Sequence, residues 1–200
     1  MSKTVALFLS YLLHPAIVPV LGVSFLLLLS PYYVQENLFY LIIGYVFIGT
    51  YIFPMLMILL LKKLKVISSI HLPTASDRKY PFLTAILFYF MTAQSIRNFA
   101  LPKNVSVFLF AGVALLFIFF ILLRFIKASA HMAGMGSLIG LLIYISGFYK
   151  MNLLYLIMGL IVLAGLLGTA RLTLKAHNPK EIYVGFMLGL CISTLFLFFI

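Results

Sequence analysis

The chain has 200 residues, of which 65% are hydrophobic and 8% are charged, and its mean hydropathy is +1.24. A soluble domain is about 45–50% apolar and about 25% charged, so a water-soluble fold could not bury this much apolar surface. The composition excludes a soluble globular protein. It predicts an all-α, polytopic membrane bundle that forms a single domain over residues 1–200.

Basic residues greatly outnumber acidic ones, with 14 Lys and Arg against three acids and a net charge of +11. In a soluble protein this excess would suggest a nucleic-acid partner. Here the basic residues fall at the ends of apolar segments, where the positive-inside rule and anionic lipid headgroups account for them. The sequence therefore predicts membrane lipids, and no nucleic acid, as partners.

The apolar segments predict about seven transmembrane helices, at residues 4–30, 38–61, 81–96, 105–125, 130–147, 153–170 and 181–200. His14-Pro15 and Pro19 predict a kink or break near the middle of the first helix. Pro81 suits the first turn of the third helix. The N-terminus lacks a small-residue cleavage site, so we expect a retained first helix and not a removed signal peptide.

The charges of the loops differ strongly between the two sides of the membrane. With seven spans, the N-terminus and residues 62–80, 124–131 and 171–181 share one side. That side carries 11 of the 14 basic residues, and the other side carries Arg97, Lys103 and Lys150. By the positive-inside rule, the basic side is predicted to be cytoplasmic.

Three polar clusters lie on this basic side, at residues 68–81, 127–131 and 171–181. Arg78 and Arg171 could bind a phosphate through bidentate hydrogen bonds, and Ser129 could add a donor at a helix N-terminus, which attracts anions. His177 could attack phosphorus, with Glu181 at i+4 holding its reactive tautomer. His131 could protonate a leaving alcohol. These residues suffice for the hydrolysis of a phosphoester.

Each of these residues also has a structural interpretation. Arg171 could end a helix and reach the headgroups. Asn178-Pro179-Lys180-Glu181 is a good helix start, with Asn as N-cap, Pro at the first position and Glu at the third. Ser129 could be an ordinary N-cap. The convergence of all three clusters on one side favours function.

The spacing resembles the type 2 phosphatidic acid phosphatase superfamily. Arg171-x5-His177-x3-Glu181 is similar to its third motif, Ser-Arg-x5-His-x3-Asp. The segment 128–131, Ala-Ser-Ala-His, is similar to its second motif, Pro-Ser-Gly-His. The segment 77–81, Asp-Arg-Lys-Tyr-Pro, resembles a loosened first motif, Lys-x6-Arg-Pro, in which His71 stands where the family has lysine.

The resemblance implies a six-helix phosphatase-like core and the chemistry of that family. His177 would be the nucleophile, Glu181 its orienting carboxylate and His131 the general acid, while Arg78, Arg171 and Ser129 would hold the phosphoryl oxygens. The family needs no metal or other cofactor and acts on lipid phosphates or polyprenyl diphosphates. The chain looks most like the compact bacterial members of this superfamily, which implies a multi-pass protein of the bacterial inner membrane.

Two alternatives remain open from the sequence. A catalytically degenerate family member could act as a lipid-binding or structural subunit of a membrane complex, with a membrane-protein partner or a second copy of itself. A transporter or channel would need polar residues at mid-span, for which Gln94 and the stretch 134–136 are the candidates. The small residues at 133–136, with Gly159, Gly165 and Gly168, are instead expected to permit close helix packing.

Overall fold

The structure is a computed structural model that describes residues 1–69 and 75–199, and within these ranges it contains helices and no strand. The described residues form seven helices: α1 (Lys3–Leu29), α2 (Glu36–Lys63), α3 (Ala75–Ile96), α4 (Lys103–Leu122), α5 (Ala130–Phe148), α6 (Leu154–Thr173) and α7 (Pro179–Phe199). All except α3 are long and apolar enough to cross a membrane. The predicted all-α membrane bundle is confirmed.

The predicted break in α1 is also confirmed. Its first α-helical part ends at Leu12, a short 3-10 turn covers Pro15–Ile17, and the α-helix resumes at Val18. Proline has no N–H to donate and clashes with the preceding turn, so Pro15 cannot continue the first part. The His14 side chain caps the 3-10 turn, because its Nδ1 accepts the backbone N–H of Ala16 at 3.3 Å.

The predicted start of the third helix at Pro81 is wrong. Helix α3 begins six residues earlier, at Ala75, and Pro81 lies inside it. The Asp77 carboxylate, in the first turn, accepts hydrogen bonds of 2.7 Å from both the backbone N–H and the hydroxyl of Ser68. An acid in the first turn also complements the helix dipole. These contacts support a polar helix start that the apolar pattern does not show.

Helix α5 lies at the centre of the bundle. In its most apolar 18-residue stretch 72% of the residues are buried, against 22–39% in the other five candidate spans. The remaining helices expose large apolar side chains such as Phe8, Leu28 and Tyr155. Those exposed faces suit lipid as the surrounding solvent, whereas α5 contacts protein on most sides.

Glycines let α5 and α7 approach backbone to backbone. A Cβ on Gly185 would overlap the carbonyl oxygen of Ser129, one on Gly189 that of Ala133, and one on Gly136 that of Phe186. Gly140 on α5 likewise lies against Leu190 and Thr194 of α7, so both helices present a Gly-x3-Gly pair to the backbone of the other.

The packing expected from the other glycines is only partly found. A Cβ on Gly159 or Gly165 would meet no atom within 4 Å, so the expectation for these two is wrong. Both lie on α6, where most residues of the span are exposed, so neither makes a close helix contact. A Cβ on Gly168 would make an ordinary contact of 3.6 Å with Ile182.

Candidate active site

The structure brings the polar clusters at residues 127–131 and 171–181 into direct contact. The backbone N–H of Ser129 donates to the carbonyl of Glu181 at 3.0 Å, which joins the start of α5 to the start of α7. The Lys127 ammonium donates to the carbonyl of Ala176 at 3.3 Å. Arg78, from the first cluster, lies within electrostatic range of Glu181 and Lys127. Two of the clusters, with Arg78 of the first, therefore form one site at the basic end of the bundle.

The ring of His177 is held in a single tautomer. Its Nδ1 lies 3.0 Å from Glu181 Oε2 and 3.0 Å from the carbonyl oxygen of Lys127. A carboxylate and a carbonyl can only accept, so Nδ1 must carry the proton. In the neutral ring Nε2 then holds the lone pair, which is the arrangement a nucleophilic histidine requires.

The environment of His177 also favours its neutral form. Burial lowers the pKa of the imidazole, and the nearby charges of Arg171 and Lys127 lower it further, against the opposing effect of Glu181. The side chains of His177 and Glu181 are only 7% and 15% exposed. The lone pair on Nε2 therefore persists to lower pH than in a free histidine.

Glu181 has a structural role and an orienting role at once. Its Oε2 accepts the backbone N–H of Asn178 at 3.2 Å, and its own N–H donates to Asn178 Oδ1 at 3.0 Å. With Pro179 at the first helical position, these bonds form the predicted capping box. The capping box fixes the carboxylate that in turn fixes His177.

His131 is held by the first helix. Its Nε2 lies 3.1 Å from the carbonyl oxygen of Ser10, an acceptor, so Nε2 carries a proton. Its other nitrogen, Nδ1, is then the one that could bind and release the proton given to a leaving group. The centroids of the His131 and His14 rings lie 5.4 Å apart in an edge-to-face arrangement. His131 also lies within electrostatic range of Arg171 and His177.

Arg171 is anchored on one side and unpartnered on another. Its Nη1 donates to the buried hydroxyl of Ser10 at 3.2 Å. Its Nε is buried and has no acceptor among the described residues. A buried guanidinium N–H without an acceptor is costly, so this side of Arg171 suits an anionic ligand.

Ser129 has a less direct place in the predicted site. Ser129 is fully buried, and its hydroxyl accepts the N–H of Met132 at 3.5 Å, as the structural interpretation proposed. Its contact with a phosphate stays a prediction. His71, which stands where the family has lysine, lies outside the described residues.

Sequence reasoning missed the contribution of α1. Ser10 links Arg171 to His131, and His14 packs against the His131 ring. The sequence pattern assigns His14 only to the break before Pro15. A histidine inside an apolar run is itself a signal of function at membrane depth. Ser10 carries no such signal, because serine is common in membrane helices.

An apolar cavity of about 100 Å³ begins beside the site. It reaches Ala130, which lies between Ser129 and His131, and its lining includes Phe82, Phe108 and Phe119. The cavity extends toward Ser193, whose buried hydroxyl has no hydrogen-bond partner within the described ranges. A hydrocarbon chain next to the basic site would find an apolar environment here.

The candidates for a transport path do not meet at mid-span. Gln94 is exposed and accepts a hydrogen bond of 3.4 Å from Arg97, near the end of α3 opposite the site. The space beside Gly134 is filled by Val18 of α1, and the space beside Gly136 is filled by the backbone of α7.

Comparison with known proteins gives no match: no family model, no curated protein and no solved structure matches the chain. The chemistry of the site has therefore to be inferred from its own side chains. Those side chains are two arginines, a lysine, three histidines and a carboxylate, gathered at the basic end of the bundle.

Proposed function

We propose that this protein is a membrane phosphatase that hydrolyses a lipid phosphate, or a polyprenyl phosphate or diphosphate, through a phosphohistidine on His177. The observation that carries the proposal is the pair of hydrogen bonds that His177 Nδ1 donates to Glu181 and the Lys127 carbonyl, which leaves Nε2 as a nucleophile among cations. A neutral imidazole within electrostatic range of Arg171 and Lys127, with Arg78 in turn near Lys127, suits an anionic electrophile better than any other substrate class.

The proposed reaction has two steps. His177 Nε2 attacks phosphorus, the bond from phosphorus to the ester oxygen breaks, and His131 in its imidazolium form gives the leaving oxygen the proton on Nδ1 and becomes neutral. Water then attacks the phosphohistidine, with His131 taking its proton, and the nitrogen–phosphorus bond breaks to release phosphate. Arg78 and Arg171 stabilise the charge on the phosphoryl oxygens in both steps.

A lipid substrate is favoured over a soluble one by the surroundings of the site. The apolar cavity begins one residue from His131, and the helices around it expose apolar side chains to the bilayer. The 11-to-3 distribution of basic residues supports a cytoplasmic site in a multi-pass protein of a bacterial inner membrane.

A second candidate function is a lipid-binding or structural subunit without turnover. It is favoured by the capping roles of Glu181 and Ser129, which account for both residues without catalysis. Such a subunit would keep the anion-binding cations and lose only the nucleophilic step.

Phosphate release by the full-length protein in detergent tests the proposal. The substrates are phosphatidic acid, a lysolipid phosphate and a polyprenyl diphosphate, and the variants are His177→Ala and Lys150→Ala at the opposite end of the bundle. We expect turnover that His177→Ala abolishes and Lys150→Ala leaves unchanged. Folded wild-type protein without turnover on any of these substrates would favour the non-catalytic subunit.

A further inference from the structure

The site carries more positive than negative charge. At the basic end, the Lys127 ammonium lies within electrostatic range of Arg78 and Arg171, and Arg78 lies within range of Glu181. The chain has three acids, and Glu36 lies at the start of α2, so Asp77 and Glu181 alone can balance these three cations. Glu181 is also shared with the His177 ring and the α7 cap. Clustered cations in excess of carboxylates are stabilised by a bound anion.

The backbone of Lys127 contacts the ring of His177, the proposed nucleophile. Its carbonyl oxygen lies 3.0 Å from His177 Nδ1, and its ammonium donates to the carbonyl of Ala176, the residue before His177. An ammonium has three N–H donors, and this bond uses one of them. Lys127 therefore holds a positive charge, with donor capacity remaining, beside the ring that would be phosphorylated.

The electrostatic surroundings of Lys127 agree with this position. Partial burial lowers the pKa of its ammonium, and the charges of Arg78 and Arg171 lower it further, while Glu181 opposes them. A phosphate dianion bound among these groups would relieve the repulsion between the three cations.

We propose that Lys127 is a phosphate-binding residue of this site, donating to the phosphoryl group that His177 attacks. This inference rests on the proposed function for its substrate. The binding of an anion by Lys127 can nevertheless be measured without turnover.

Binding of inorganic phosphate to the full-length protein in detergent, measured by calorimetry, tests the role of Lys127. Lys127→Gln removes the charge and keeps a donor for the Ala176 carbonyl, whereas Lys127→Arg keeps the charge. Lys180→Met is the matched control, because Lys180 is an exposed cation three residues from His177. We expect Lys127→Gln to weaken binding about tenfold, Lys127→Arg to stay close to wild type and Lys180→Met to have no effect.

Kinetics with phosphatidic acid give the second readout. Lys127→Gln should raise KM with a smaller change in kcat, and Lys127→Arg should restore most of the loss. If the wild type binds phosphate but hydrolyses nothing, the proposed function fails and the binding data still decide the role of Lys127. Wild-type protein that binds no phosphate, an unchanged affinity in Lys127→Gln or an equal loss in Lys180→Met would overturn the inference.

Discussion

The two ends of the bundle carry similar kinds of side chains and use them differently. At the end opposite the site, Arg97, Lys103 and Lys150 are exposed, and Arg97 bonds to Gln94 within its own helix. The polar contacts there include a 2.8 Å bond from the Asn104 amide to the Tyr149 hydroxyl and a 2.7 Å bond from the Ser146 hydroxyl to the Met151 carbonyl. At the site end, polar groups from α1, the 124–129 segment, α5, α6 and the 174–178 segment bond to one another.

The difference between the ends shows what separates a membrane-edge cation from a binding group. An exposed arginine at the headgroup level is well solvated and gains little from any one partner. Arg171 is instead held by Ser10 and has a buried Nε without an acceptor among the described residues. Burial makes an anionic partner valuable, and the histidines that could react with one lie, among the described residues, at the site end.

Replacing one arginine at each end should give the largest contrast. Arg171→Met removes the buried guanidinium and is expected to lower kcat/KM for phosphatidic acid by about 100-fold, because charge-assisted bonds to the transition state are lost. Arg97→Met, at the exposed opposite end, should change kcat/KM less than twofold. Equal losses in the two variants would remove the distinction between the ends, provided that both variants keep the wild-type melting temperature.

Adding one methyl group at each end tests how tightly the site is built. On Gly185 a Cβ would overlap the Ser129 carbonyl, whereas on Gly147 it would lie 3.6 Å from Phe198. We expect Gly185→Ala to destabilise the protein by about 1–3 kcal/mol and Gly147→Ala by much less. Thermal unfolding in detergent measures both, and an unaffected Gly185→Ala would show that α5 and α7 do not need this close approach.

The pH dependence of kcat/KM should show the smallest effect. Protonated His177 cannot attack, so activity falls as pH drops through the pKa of its imidazole. Burial, Arg171 and Lys127 lower this pKa, so activity should persist below the ordinary titration range of histidine. Removing the charge in Lys127→Gln should shift the acid limb to higher pH, and Lys150→Gln should not. An acid limb above the ordinary range would contradict the described environment of His177.

Much of the fold could be predicted from apolar patterning, because length and hydrophobicity are enough to identify a membrane helix in a sequence. The failure at α3 has a clear physical cause. Its first two turns are polar and contain Pro81, so the sequence pattern predicts a loop there. The contacts of Asp77 with Ser68, which support the helix start, are visible only in the structure. The close packing of α7 could have been found from Gly185 and Gly189, since their spacing matches Gly136 and Gly140.

The site was only partly predictable, and for a different reason. His177 and Glu181 are four residues apart across a capping box, so local sequence determines their contact. Ser10 lies 161 residues from Arg171, and no local pattern connects them. Lys127 could be seen as a cation at the end of a helix, but its place beside His177 depends on how α5 and α7 pack.

Trapping the covalent intermediate tests the central claim most directly. Full-length protein would be mixed with labelled phosphatidic acid, quenched in alkali within one turnover and mapped by mass spectrometry, with His131→Ala as the slowed variant and His177→Ala as the blank. We predict an acid-labile, alkali-stable phosphate on His177 in the wild type and none in His177→Ala. Turnover without any phosphate on His177, or label on another residue, would contradict the account.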